Sequence, residues 1–275
     1  MNKELIVQFF AIFIITNILG MLAGHSLIQD NIHATIINDN PDGVENGVGI
    51  IVWILCFTAI LILLLRYGPP WITYIILKAL ESVAVFGSAL IVMYPFPIDE
   101  NWAFVLALGL ICARIVLHGN LLLRNASTII AAAGSGALIG ASLGTIPLAV
   151  FVALLAIYDF IAVFKTRHMV ELAKGISGKN LAFTFALPTK EKKFELGTGD
   201  IVVPLAFAVS VMGEASKLGG TAWAFAPAII LLASSLGLFI TLEIAAARKQ
   251  PLPALPLQAI YMLLAFGLMK FTFLA

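Results

Sequence analysis

The sequence predicts an all-α membrane protein of nine transmembrane helices, with its N-terminus cytoplasmic and its C-terminus extracytoplasmic. Three observations carry that expectation. Of the 275 residues, 61% are hydrophobic and only 11% charged, against about 45–50% and about 25% in soluble domains. So little polar surface cannot coat a globule of this size, and lipid must serve as the solvent. The apolar residues also gather into stretches that approach or exceed the roughly 20 needed to cross about 30 Å of hydrocarbon. Finally, the connections alternate between basic and acidic, as they do when Lys and Arg collect on the cytoplasmic side. A net charge of +1 supplies no basic field for nucleic acid.

Leu5 to Leu27 outruns the about 7–15-residue core of a signal peptide, and no mature soluble domain follows, so it reads as the first span. Val48 to Leu65, Trp71 to Tyr94 and the short Trp102 to Leu117 come next. Ala126 to Gly144 and Ile146 to Phe164 nearly touch. Beyond a long connection lie Gly199 to Ser216, Trp223 to Leu242 and Leu255 to Leu274. Cys56 and Cys112 fall in apolar runs, match no metal or redox spacing, and read as buried, reduced thiols. The four histidines match no metal motif.

Orientation follows from the loop charges. With Lys3 inside, the inner connections and span ends hold Arg66, Arg114, Arg124, Lys165, Arg167, Lys174, Lys179, Lys190, Lys192, Lys193, Arg248 and Lys249. The outer ones hold Asp30, Asp39, Asp42, Glu45, Asp99 and Glu100, with Lys217 and Lys270 their only bases. The basic connection divides one integral membrane domain into a six-helix part (1–164), a cytoplasmic loop (165–196) and a three-helix part (197–275). Within the loop, Leu181 to Leu187 is apolar and β-capable but too short to span, so it is expected to dock on the bundle or the membrane surface.

A charge at mid-membrane costs about 2.5–3.5 kcal/mol on insertion scales, so each embedded one asks for a reason. Lys78 and Glu81 are three apart on one helix and read as a self-neutralising pair, as do Glu214 and Lys217. Glu243 lies at the inner end of its span, within reach of water. Asp159 and Asp200 have no such local partner. Asp159 sits roughly 7 Å below the inner end of the sixth span and Asp200 roughly 6 Å into the seventh. Two carboxylates thus reach one depth on sequential antiparallel helices.

Facing each other in a dry site, such carboxylates share one proton, so one can activate water while the other polarises a carbonyl. Depth and pairing alone equally allow an ion or proton transporter or leak channel, or an interhelical hydrogen-bonded pair. The neighbouring residues add detail. Gly197-Thr198-Gly199 removes side chains beside Asp200 and lets another backbone approach. Tyr158 adjoins Asp159 and can offer a phenol hydrogen bond. Pro251, Pro253 and Pro256 keep the start of the ninth span from being helical, which at membrane depth needs protein or a water-filled cavity around it. Gly136, Gly140 and Gly144 recur at intervals of four; close packing inside the bundle is the first reading and a homo-oligomer contact the second.

Together, Tyr158-Asp159, Gly197-Thr198-Gly199-Asp200 and Pro253-Ala254-Leu255-Pro256 resemble the three motifs of the presenilin family of GxGD intramembrane aspartyl proteases, in order and each on the expected helix. The layout looks closest to an archaeal presenilin homologue, compact and without the very long loop of animal presenilins. The resemblance implies that Asp159 and Asp200 are the catalytic pair, acting without metal or cofactor. It implies that Tyr158, Leu196, Gly197, Thr198, Gly199, Pro253, Ala254, Leu255 and Pro256 shape the site. Substrates would be transmembrane helices met in the lipid bilayer, here the cell membrane of a prokaryote. The related signal peptide peptidases run the opposite way through the membrane, and the loop charges favour the presenilin sense, which implies substrates with their N-terminus outside. An unwound substrate could add as a strand to the backbone of Phe194-Glu195-Leu196 or of the segment around Pro253.

Overall fold

The computed structural model describes residues 3–166, 184–188, 193–248 and 252–272. Among them are nine α-helices: α1 (Lys3–Gln29), α2 (Val44–Tyr67), α3 (Pro70–Met93), α4 (Glu100–Val116), α5 (Leu121–Ser142), α6 (Thr145–Ile161), α7 (Gly199–Ser216), α8 (Ala222–Arg248) and α9 (Leu255–Thr272). A π-helical turn, Ala162–Thr166, extends α6, and two strands, β1 (Thr184–Pro188) and β2 (Lys193–Gly197), precede α7. Eight of the nine helices are long and apolar enough to cross a membrane. The ninth is α4, whose 17 residues form the span already short in the sequence. Most of the basic connection after α6, together with Lys249, Pro251 and Leu274, lies outside the described residues.

α7 is the axis of the bundle. Ile201, Leu205, Phe207 and Val211 are all fully buried, and the helix packs on α1, α5, α6 and α8, as a helix apolar all round must. Small residues let the neighbours close in. A Cβ on Gly136 would stand 2.7 Å from Leu205, and one on Gly140 would stand 2.6 Å from Val209. The G-x-x-x-G face therefore packs inside the bundle, against α7. Gly144 is not part of it, because α5 ends at Ser142 and Gly144 precedes α6 with Asp42 against it. α2 lies at the periphery, resting on α6 with Gly47 against the Pro147 carbonyl, and turns most of its surface to lipid.

The embedded charges are paired, though not always as expected. Lys78 Nζ meets Glu81 Oε2 at 2.7 Å, and Arg114 of α4 joins them with Nε 3.1 Å from Glu81 Oε1. Glu214 does not rely on Lys217: Lys270 of α9 forms its ion pair, and Thr145 Oγ1 donates to Glu214 Oε2 at 2.6 Å. Side chains on adjacent helices at one depth outcompete the neighbour on the same helix. Cys56 and Cys112 are free, but both are exposed rather than buried, because helices at the rim bury only a narrow stripe and show the rest to lipid.

Candidate active site

Asp159 lies at the end of α6, three residues before the π-helical turn, and is 7% exposed. Asp200 lies in the first turn of α7, half-buried. The two lie within electrostatic range of each other. The third motif arrives beside them. Leu252, Pro253 and Ala254 are not helical, and α9 begins at Leu255 with Pro256 in its first turn, where a missing N–H costs nothing. The first amides of a helix have no intrahelical acceptor, and the backbone N–H of Leu255 donates to the Asp159 carboxylate.

One turn further along α9, the fully buried Gln258 donates from Nε2 to the Asp200 backbone carbonyl at 3.2 Å. Gly237 of α8 makes room for it, since a Cβ there would stand 2.8 Å from the Gln258 Cα. Gln258 was not among the residues expected from sequence. Its signal was an amide three residues past Leu255 in a largely apolar helix, a costly group in lipid that needs an inward partner.

The remaining expected residues differ in their surroundings. Gly197 and Gly199 are exposed, and a Cβ on Gly199 would meet nothing within 4 Å, so the space beside Asp200 is open backbone. Thr198 is half-buried; its carbonyl accepts from the amides of Ile201 and Val202, and it borders a cavity of about 140 Å³ shared with Glu81, Ser88 and Ser135. The Tyr158 phenol bonds Thr58 and so ties α6 to the peripheral α2. Leu196, Ala254 and Leu255 are 4%, 8% and 8% exposed. Their side chains belong to the core, and they shape the site by packing and by their backbone; Pro253 and Pro256 are half-buried beside them.

β1 and β2 form an antiparallel pair in the register Phe185↔Leu196, Ala186↔Glu195 and Leu187↔Phe194. Phe185 and Leu187 are buried with Phe9 and Phe13 of α1. The apolar loop stretch thus docks on the bundle as a strand, over residues 184–188; positions 181–183 lie outside the described residues. β2 ends at Gly197, three residues before Asp200.

The family model described as signal-peptide peptidase, presenilin aspartyl protease matches residues 10–269, and the chain belongs to that family. It is accordingly an intramembrane aspartic endopeptidase, an integral multi-pass membrane protein whose substrates are membrane-embedded. Its fold is similar to that of a presenilin family intramembrane aspartate protease solved in two crystal forms. The form in space group C222 is 19% identical with a TM-score of 0.64 over 94% of each chain, and the P2 form is 20% identical with a TM-score of 0.67 over 95% of each. No curated protein matches the chain.

Proposed function

We propose that Asp159 and Asp200 are the catalytic pair and that they hydrolyse peptide bonds within transmembrane segments of substrate proteins. One observation supports the reading: the end of α6, the start of α7 and the start of α9 come together, with the Leu255 amide bonded to Asp159 and Asp159 within electrostatic range of Asp200. The pair shares one proton. The ionised carboxylate takes a proton from water as the oxygen attacks the scissile carbonyl carbon, and the other carboxyl gives its proton to the carbonyl oxygen. The carboxyl that took the water's proton then gives it to the amide nitrogen while the other carboxylate takes a proton from a diol hydroxyl, so that the C–N bond breaks, a carboxylic acid and an amine form, and the pair again holds one proton. An unwound substrate docks as a strand on the backbone of β2, which leads directly to Asp200.

The same reading assigns nine crossings, α4 included, with the N-terminus and the basic connection 165–196 cytoplasmic and the C-terminus outside, in the cell membrane of a prokaryote. The loop charges support it, and it implies a preference for substrates whose N-terminus is outside. The test is cleavage of a single-span substrate in proteoliposomes. Asp159→Asn and Asp200→Asn should each reduce it to background, with the double variant no worse than either, because residues acting as a unit are non-additive. Aspartate-dependent ion flux without proteolysis would instead support a channel or transporter, and robust cleavage of only oppositely oriented substrates would reverse the topology.

A further inference from the structure

The two strands have unequal edges. On β1, Ala186 uses both of its backbone groups on one side chain of α5: Asn125 Nδ2 donates to the Ala186 carbonyl at 2.8 Å, and the Ala186 N–H donates to Asn125 Oδ1 at 2.9 Å. A primary amide making both bonds is what a third strand would offer. Next to it, the buried Arg124 donates from Nη2 to the Thr184 carbonyl and hydroxyl at 3.3 and 2.6 Å. The outer edge of β1 is therefore closed by the start of α5.

The alternation of an antiparallel ladder then fixes the other side. Because Ala186 points its N–H and C=O at Asn125, its pairing with Glu195 is of the non-hydrogen-bonded kind, and so is that of Thr184 with Gly197. The backbone groups of Glu195 and Gly197 consequently point outward, along the edge of β2 that runs into Asp200. The sheet has two strands among the described residues, and Gly197 is exposed. A slip of the pair by one residue would turn every one of these groups round.

We propose that Asn125, assisted by Arg124, is a positioning residue: it acts as a surrogate strand that closes the wrong edge of the hairpin and fixes the register in which β2 presents its free edge to substrate. It touches neither aspartate. Its effect is on which substrate bond lies over the aspartate pair. This rests on the proposed docking of substrate on β2 and adds a residue that sets cleavage position.

The experiment measures cleavage positions of a single-span substrate by mass spectrometry, with kcat and KM, in the parent, Asn125→Leu (similar size, neither bond) and Asn125→Asp (acceptor kept, donor lost). Exchange of the Ala186 amide and the melting temperature are followed in parallel. In Asn125→Leu, kcat/KM should fall about tenfold, the factor that one to two lost hydrogen bonds correspond to. The products should spread over neighbouring bonds, and Ala186 should exchange faster. Asn125→Asp should be intermediate, which keeps the idea testable if Asn125→Leu does not fold. A merely structural role would lower the melting temperature and leave the product positions alone. If the parent cleaves and the folded variants give its product positions at rates within about twofold, the clamp is wrong and the protease assignment stands. If the parent shows no aspartate-dependent cleavage, both fall.

Discussion

Glu81 offers the sharpest test of how charge is held inside this bundle. It is 1% exposed and faces two cations, Lys78 and Arg114. Glu81→Gln keeps the shape and removes the negative charge that both cations face. Breaking a buried ion pair by taking one partner costs about 3–5 kcal/mol. The two cations do not share the loss equally. The Lys78 side chain is 16% exposed and can extend along the helix surface toward water, whereas that of Arg114 is 3% exposed and cannot. The expected loss is therefore nearer about 3 kcal/mol, close to the about 2.5–3.5 kcal/mol of one uncompensated charge in a bilayer. At about 2–4 °C per kcal/mol for a chain of this size, the melting temperature in detergent should drop by roughly 6–12 °C. Replacing all three residues by apolar ones (Lys78→Met, Glu81→Leu, Arg114→Leu) should recover most of it, because desolvation and attraction nearly cancel in such clusters. A Glu81→Gln protein melting within about 2 °C of the parent would refute the reasoning.

Two further outcomes are expected from packing. Gly140→Leu would drive a side chain into the Ala206 carbonyl and Val209 on α7, so loss of the folded species in size-exclusion and melting assays is expected, exceeding the about 1–3 kcal/mol of ordinary overpacking. Gly109→Ala, where a Cβ meets nothing within 4 Å, should be neutral or stabilising by up to about 1 kcal/mol; a reversed ranking would contradict the packing described. Cys56, exposed on the span candidate α2, should react with a hydrocarbon-soluble maleimide in proteoliposomes and resist a charged one until the protein is denatured, and Cys112 should do the same if α4 crosses the membrane as proposed. Labelling of both by the charged reagent in the native state would show that these faces meet water.

Much of the arrangement was legible because lipid removes alternatives. In water, an apolar stretch can be strand, helix or core; in hydrocarbon it must satisfy its own backbone and becomes a helix. Asp159 and Asp200 stood out for the same reason, since an unpaired acid in such a stretch demands a partner at its own depth. What the sequence hid were contacts between elements far apart in the chain. Arg114 completes the Lys78–Glu81 group, and Lys270 displaces Lys217 as the partner of Glu214; no periodicity encodes which helix lies next to which. The bonds from Gln258 and from the Leu255 amide depend on the crossing of α9 over the end of α6 and the start of α7. Nothing in the neighbours of Asn125 announced that its amide would pair with the edge of a β-strand.

The ends of α6 and α7 are each fastened to the start of α9: the Leu255 amide holds Asp159, and the Gln258 side chain holds the backbone of Asp200. Those two ties come from α9, which follows both acids in the chain. A chain without α9 thus has Asp159 and Asp200 but neither of these ties. The packing of α9 on α6 and α7 is therefore what joins the two acids into one arrangement.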